Sequence, residues 1–255
     1  MPTVAELWRY PVKSFQGERV DRVEVGPDGI VGDRRFAVTD PVRGAALSAK
    51  TERRLLDAWA RTIDGEVVIT LPNGDELSAS SPDVGDRVSA WLGRDVGFAD
   101  ASSGPAGYWM TLDPPNDAAE QYEIPMPPGT FFDLHHVHVL TTASLARCRE
   151  ARPEIGWDVR RFRPNVVVDD AGDGFPEDDW VDGRVRVGAA TLDVVMRTMR
   201  CAMPLRAQPL RDGVVIERAL DVYRVLDSLH SNDLGVYCAV ASPGSVSIGD
   251  EVAPI

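Results

Sequence analysis

Lysine is nearly missing from this chain: Lys13 and Lys50 are the only two, within a total of 27 lysines and arginines. A coding bias toward arginine accounts for the scarcity. Under that bias a surviving lysine hints that its shape or its chemistry is wanted. Positive charge is scarce altogether, with 40 acidic residues, a net charge of −13 and a pI near 4.7. Nucleic acid or an anionic membrane as a main partner would need clustered basic surface, so neither is expected. The few basic clusters gain meaning against that acidic background.

Cysteine is also sparse. Cys148, Cys201 and Cys238 are too widely spaced for a disulfide framework, and neither CxxC nor a His/Cys zinc spacing occurs. No apolar run reaches the ~18 residues that span a membrane. Glu6 and Arg9 interrupt the first segment, so no signal peptide is read there. A reduced, cytoplasmic protein is the expectation. There is no Walker A loop and no GxGxxG, which removes support for an ordinary nucleotide fold. With 255 residues, 44% of them apolar and 26% charged, the chain is long enough for one large domain or two smaller ones with a full core.

What is present reads mainly as short strands. Residues 3–9 form a strand that breaks at Tyr10-Pro11-Val12-Lys13-Ser14, because proline holds Tyr10 extended and ends the ladder. Residues 19–25 and 36–39 read as strands, 46–48 as a short strand and 55–63 as a short helix. Residues 67–71 and 76–78 flank an Asn73-Gly74 hairpin turn, and 84–92 form a helix that stops at Gly93. Many short strands with few helices predict a β-barrel or sandwich over 1–99. Residues 100–130 are proline-punctuated and too long for an ordinary connection, so a linker or a functional lid is expected there. Residues 131–255 make the second unit. It has strands at 133–140, 166–168, 190–196 and 235–240, helices at 143–151 and 218–229, and a closing strand at 244–252. Cys148 and Cys238 are expected to pack in the core.

Three histidines, His135, His136 and His138, fall in the 133–140 strand, where alternation puts 136 and 138 on one face and 135 on the other. No carboxylate or cysteine at a recognisable spacing completes a zinc set. The acidic stretch 169–182 fails the EF-hand pattern, with Ala171 at its third position and Trp180 at its twelfth, and reads as a solvated loop.

The chemistry centres on Arg197-Thr198-Met199-Arg200-Cys201-Ala202-Met203-Pro204. Cys201 lies there between arginines at the end of a strand. Cations lower a thiol pKa, and the thiolate is both a nucleophile and a soft metal ligand. The plain alternative is a small packed hydrophobe beside surface arginines. Other basic spots fall at turns or strand ends: Lys13 with Ser14, Arg34, and Arg163 with Asn165. Arginine forks and a lysine point charge suit a phosphate-bearing ligand. A lone cysteine with such a cradle suits a covalent thiol mechanism, or one thiolate to a metal whose other ligands arrive with a cofactor. The sequence supplies too few ligands to hold an ion alone, which favours a metal inside an anionic organic cofactor.

Tyr10-Pro11-Val12-Lys13-Ser14, Gly32-Asp33-Arg34-Arg35-Phe36, Phe162-Arg163-Pro164-Asn165, Arg200-Cys201, Leu234-Gly235-Val236-Tyr237 and Val246-Ser247-Ile248-Gly249-Asp250 occur in order. As a set, over essentially the whole chain, they resemble the MOSC family (molybdenum cofactor sulfurase C-terminal domain) preceded by its N-terminal β-barrel. The resemblance implies an α+β, mainly β fold. An N-terminal barrel-like domain at 1–99 would precede a linker or lid at 100–130 and a MOSC β-barrel domain with a few helices at 131–255. It implies a pyranopterin molybdenum cofactor and two-electron reduction of small N-hydroxylated substrates. A separate electron-donor protein, flavin or iron–sulfur/haem in type, would be required. Cys201 would be the molybdenum thiolate. Lys13, Ser14, Arg34, Arg163, Asn165 and Arg200 would hold the pterin and its phosphate, and Tyr237 would line the cavity. Asp133 would lie close to the metal, where it is offered as a proton relay. Phe15, Lys50, Leu134, His135, Met199 and Leu234 depart from the family pattern. The alternative function is a sulfur or cofactor carrier that uses a Cys201 persulfide without redox turnover.

Overall fold

A computed structural model describes residues 1–116 and 118–255. Its backbone is an eight-stranded sheet that draws on both ends of the chain. In spatial order its strands are Glu18–Val20, Thr3–Arg9, Val166–Asp169, Val137–Thr141, Asp233–Ser242, Ala190–Met199, Arg184–Val187 and Val252–Pro254. Val166-Val167-Val168 is buried on both faces, which is why it is a run of valines rather than an alternation. It runs parallel to Val137–Thr141 and antiparallel to Thr3–Arg9. A small sheet of Arg22–Gly26, Gly29–Ile30 and Gly244–Ser247 supplies Val23, Val25, Ile30 and Val246 to the same valine-rich core.

Residues 36–125 build the barrel-like half. Gly97–Asp100, Phe36–Asp40, Ala45–Ala46, Gly107–Thr111 and Gln121–Pro125 form a five-stranded sheet. Trp59–Ile63, Glu66–Thr70 and Glu76–Ser78 form a three-stranded one. Their core holds Phe15, Leu55, Leu56, Ile69 and Val88, each side chain worth about 1.5–3 kcal/mol when fully buried. Helix Val84–Leu92 closes it and ends on Gly93 in the left-handed conformation. The mainly β architecture expected from the sequence is what the chain forms. Among the described residues no helix is long and apolar enough to cross a membrane.

Several local expectations need correction. Residues 55–63 are a short 3-10 turn, Arg53–Asp57, followed by a strand from Trp59 to Ile63. Pairing with Glu66–Thr70 and the β-forming Trp59, Thr62 and Ile63 override the helical reading. Within 100–130 the chain lays down two strands, and Tyr108 pairs with Ala46 in parallel. The strand expected from Asp133 starts only at Val137, so Asp133 sits in the loop ahead of it. The acidic stretch is not wholly solvated. Pro176–Trp180 forms a 3-10 turn with Glu177 and Trp180 buried.

Candidate functional site

Three of the loops singled out in the sequence turn through unusual backbone geometry. Ser14, Arg34 and Arg163 all hold positive φ, at 66°, 47° and 55°. Such strain costs about 1–3 kcal/mol per residue and persists where the surroundings impose it. Here the three loops converge on the end of Ala190–Met199, where bulges interrupt the register with Asp233–Ser242. Cys201 follows directly, partly exposed and packed against the barrel core.

Lys13, Ser14, Arg34, Asp133, Arg163, Arg200, Cys201 and Tyr237 line one cavity of about 50 Å³. Asn165 does not. It is 1% exposed and works behind the wall, donating its amide to Asp33 at 3.1 Å and accepting from the His138 N–H at 3.2 Å. A larger surface cavity of about 610 Å³ lies elsewhere, between Trp8 and Trp157. It holds no thiol, and its Arg160 is neutralised by Asp158 and Asp212.

The arginines are pinned by backbone carbonyls. Arg163 donates to the Phe15 carbonyl at 2.7 Å and Arg200 to that of Phe162 at 2.7 Å. Burial lowers the Arg163 guanidinium to about 10. Arg34 pairs with Asp33. Arg163 Nη2 and Arg200 Nε are buried with no hydrogen-bond partner among the described residues. A buried charged donor left bare is costly, so both nitrogens call for an anion. The donor set therefore fits an anionic cofactor with one soft sulfur ligand from Cys201. Among the described residues no three His, Cys, Asp or Glu side chains converge as a metal set.

Asp133 is held differently from the expectation of a proton relay. Lys13 bonds one of its oxygens and Lys50 the other, the latter at 2.8 Å. Burial would raise its pKa, but the two ammoniums hold the carboxyl well below the usual range. It is held as a carboxylate between two ammoniums.

The sequence reading gave three participants no place in the site: His138, weighed there only as a zinc ligand, Lys50, noted there only as a rare lysine and a departure from the family pattern, and Tyr108. His138 lines the cavity and contacts Arg200 and the Leu234 carbonyl. Burial, then Arg200, holds its pKa well below 6.5, so the ring is neutral. Gly235, at φ 78°, passes so close that a Cβ would lie 2.5 Å from His138 Nε2. Lys50 and Tyr108 complete the surroundings of Asp133. The rarity of lysine was the available signal for Lys50; none marked Tyr108, whose strand lies in the stretch read as a lid.

A mainly β protein that presents one partly exposed thiol inside an arginine-walled cavity is a class defined by its fold and site. The comparisons name that class. Residues 129–253 match the MOSC domain and residues 1–101 the MOSC N-terminal beta barrel domain; the chain belongs to the MOSC family. It is 27% identical to mitochondrial amidoxime reducing component 2 of Bos taurus, over 98% of this chain and 82% of the relative. Identity to human mitochondrial amidoxime-reducing component 1 is 25%, with the same coverage. The molybdenum cofactor sulfurase of Danio rerio is 25% identical over 99% of this chain and 34% of the relative.

Proposed function

We propose that the chain is a molybdenum-cofactor oxidoreductase that reduces N–O bonds of N-hydroxylated compounds by two electrons. The observation that carries this reading is Cys201 sharing one cavity with Arg163 and Arg200, each of which keeps a buried nitrogen with no hydrogen-bond partner among the described residues. The names of the mammalian relatives support the reaction class. When bound, the cofactor supplies the two-electron chemistry. Cys201 gives the metal its thiolate, and soft sulfur suits that role. Arg163 and Arg200, with Arg34 and Ser14, hold the anionic part, while Asn165 fixes their loop from behind. Tyr237 walls the cavity, its phenol kept neutral because burial raises its pKa. Lys13 stays on Asp133. A cavity of about 50 Å³ has room for a few waters, whereas small-molecule sites span ~300–1,000 Å³. Side chains at the mouth must swing outward, and Met199, 67% exposed, is the least restrained of them. Electrons come from a separate flavin, iron–sulfur or haem protein.

The test is elemental analysis of protein made in a host that synthesises the cofactor, beside Cys201→Ala. Stoichiometric molybdenum and N-hydroxylated substrate turnover in the wild type, both lost in the variant, are expected. Full activity in Cys201→Ala sinks the reading. A second reading is favoured by the partial exposure of the Cys201 thiol and by the likeness to a cofactor sulfurase. In it Cys201 carries a persulfide for delivery. Sulfane sulfur on Cys201, without reductase activity from any donor, would select it.

A further inference from the structure

The only two lysines of the chain, far apart in sequence, meet on a single carboxylate. Lys50 Nζ lies 2.8 Å from Asp133 Oδ2 and 2.9 Å from the Tyr108 hydroxyl. Lys13 Nζ takes Asp133 Oδ1 and donates to the Phe131 carbonyl at 2.8 Å. The Tyr108 ring underlies both ammoniums, with its centre 4.5 Å from Lys13 and 4.2 Å from Lys50. Both lysine side chains are 3% exposed.

Every other cation lining the cavity is an arginine. For gripping a carboxylate, an arginine fork is the better tool. What an ammonium can do and a guanidinium cannot is give up a proton near neutral pH. Two ammoniums on one carboxylate leave a surplus positive charge in a dry place, and that surplus is the easiest charge to shed. The surroundings decide which lysine sheds it. Lys50 has a carboxylate oxygen at 2.8 Å and the Tyr108 oxygen at 2.9 Å. Lys13 has Lys50 and Arg34 as like-charged neighbours, and burial, the largest influence, lowers it to about 8. Lys13, unlike Lys50, lines the same cavity as Cys201, Tyr237 and His138, the last kept neutral by its burial.

We propose that Lys13 is the proton-donating residue of this cavity, and that Lys50, seated on Tyr108 and Asp133, is the positioning residue that lets it act. The assignment rests on the reductive reading of the site. Reduction of an N–OH group takes two electrons, here from the flavin, iron–sulfur or haem donor protein, and two protons. The N–O bond breaks, the oxygen leaves as water and an N–H bond remains. One of the two protons leaves Lys13 Nζ for the departing oxygen; the other comes from solvent. Lys13 is then a neutral amine, and Lys50 keeps Asp133 from standing uncompensated until solvent reprotonates Lys13.

Having two lysines makes the test direct. Isotope-labelled lysine in the cofactor-free protein gives one side-chain resonance for each, and Lys50→Arg assigns them by deleting one. The expected result is that Lys13 titrates near about 8, while Lys50 stays charged to higher pH. In Lys50→Met, Lys13 keeps Asp133 to itself and its midpoint moves upward from the wild-type value, because one like charge is gone while the burial remains. In the loaded protein, Lys13→Arg keeps its molybdenum, loses about 100-fold in turnover and no longer shows the alkaline limb set by Lys13. Two resonances that titrate together above about 10 in the wild type, or a Lys13→Arg protein with wild-type turnover and pH profile, overturn the proposal. A loaded wild type that reduces no N–O compound instead overturns the reductase reading, so the two failures are separable.

Discussion

The guanidinium of Arg163 lies 4.1 Å from the centre of the Tyr10 ring, and that of Arg34 lies 4.9 Å from the same ring. One buried aromatic face system thus sets two of the cations that line the Cys201 cavity. The Tyr10 hydroxyl donates to the Pro164 carbonyl at 3.1 Å, and burial raises its pKa, so it remains a donor throughout the working range. Tyr10→Phe should cost about 1 kcal/mol, the worth of one hydrogen bond. Tyr10→Leu should cost about 1 kcal/mol more, through the lost cation–π contacts, and retain less molybdenum. Urea unfolding and metal content measure the two effects. Equal metal retention in both variants would show that the ring does not place the arginines.

The three thiols differ in a way that a reagent can count. Cys148 and Cys238 are 0% exposed, and burial pushes Cys148 up to about 12 and raises Cys238 as well. Cys201 is partly exposed at the cavity. A thiol reagent should label a single cysteine in the native protein, none in Cys201→Ser, and all three of the wild type once it is unfolded. A second fast-reacting thiol in the native wild type would contradict the packing of the helix core or the sheet core.

The parts of the site that could be read from the sequence are those announced by local chemistry: a cysteine beside arginines, a lysine after a strand-breaking proline, an Arg-Pro-Asn turn. Of these, Cys201, Arg200, Lys13 and Arg163 reach one cavity, while Arg197 pairs with Asp178 and Asp233 away from it. Asn165 has the right residue type but faces Asp33 and the backbone of Trp8, and spacing alone does not say which side of a loop an amide takes. The missed parts depend on long-range pairing. Tyr108 arrives beneath the lysines because its strand pairs with Ala46, a contact between strands too short to show periodicity. The same holds for Trp59–Ile63, where the strand exists because a partner is there to receive it.

Asp133 makes a prediction opposite in sense to that of a relay. Its carboxylate compensates two lysines that are each 3% exposed. Asp133→Asn leaves two buried ammoniums without a counter-charge, and removing one partner of a buried ion pair costs about 3–5 kcal/mol. Chemical denaturation should show a loss of that order, and it should exceed the loss in Lys50→Met, which removes one of the two ammoniums and leaves Asp133 paired with Lys13. A variant as stable as the wild type would mean that the lysines find other partners.

Glu177 sets a pH dependence whose sign can be worked out. It is 0% exposed and accepts from the hydroxyls of Thr141 and Ser144, at 2.6 Å and 2.7 Å. Thr141 caps helix Thr142–Ala151, so the carboxyl joins the helix start to the 3-10 turn Pro176–Trp180. Burial raises the Glu177 pKa in the folded chain, against the opposing pull of those hydroxyls. Between the unfolded value, about 4.3, and the raised folded value, the folded state binds more protons than the unfolded state. Stability in that window therefore falls as pH rises. The contribution of Glu177 is full below the unfolded pKa and is lost as the pH passes the folded one. Glu177→Gln keeps the shape and removes the titration. As the pH climbs above the unfolded value, the wild type should lose more stability than this variant, with the two curves diverging until the folded-state pKa is passed. Parallel curves would mean that Glu177 ionises at its ordinary pH inside the fold, with the two hydroxyls compensating fully for its burial.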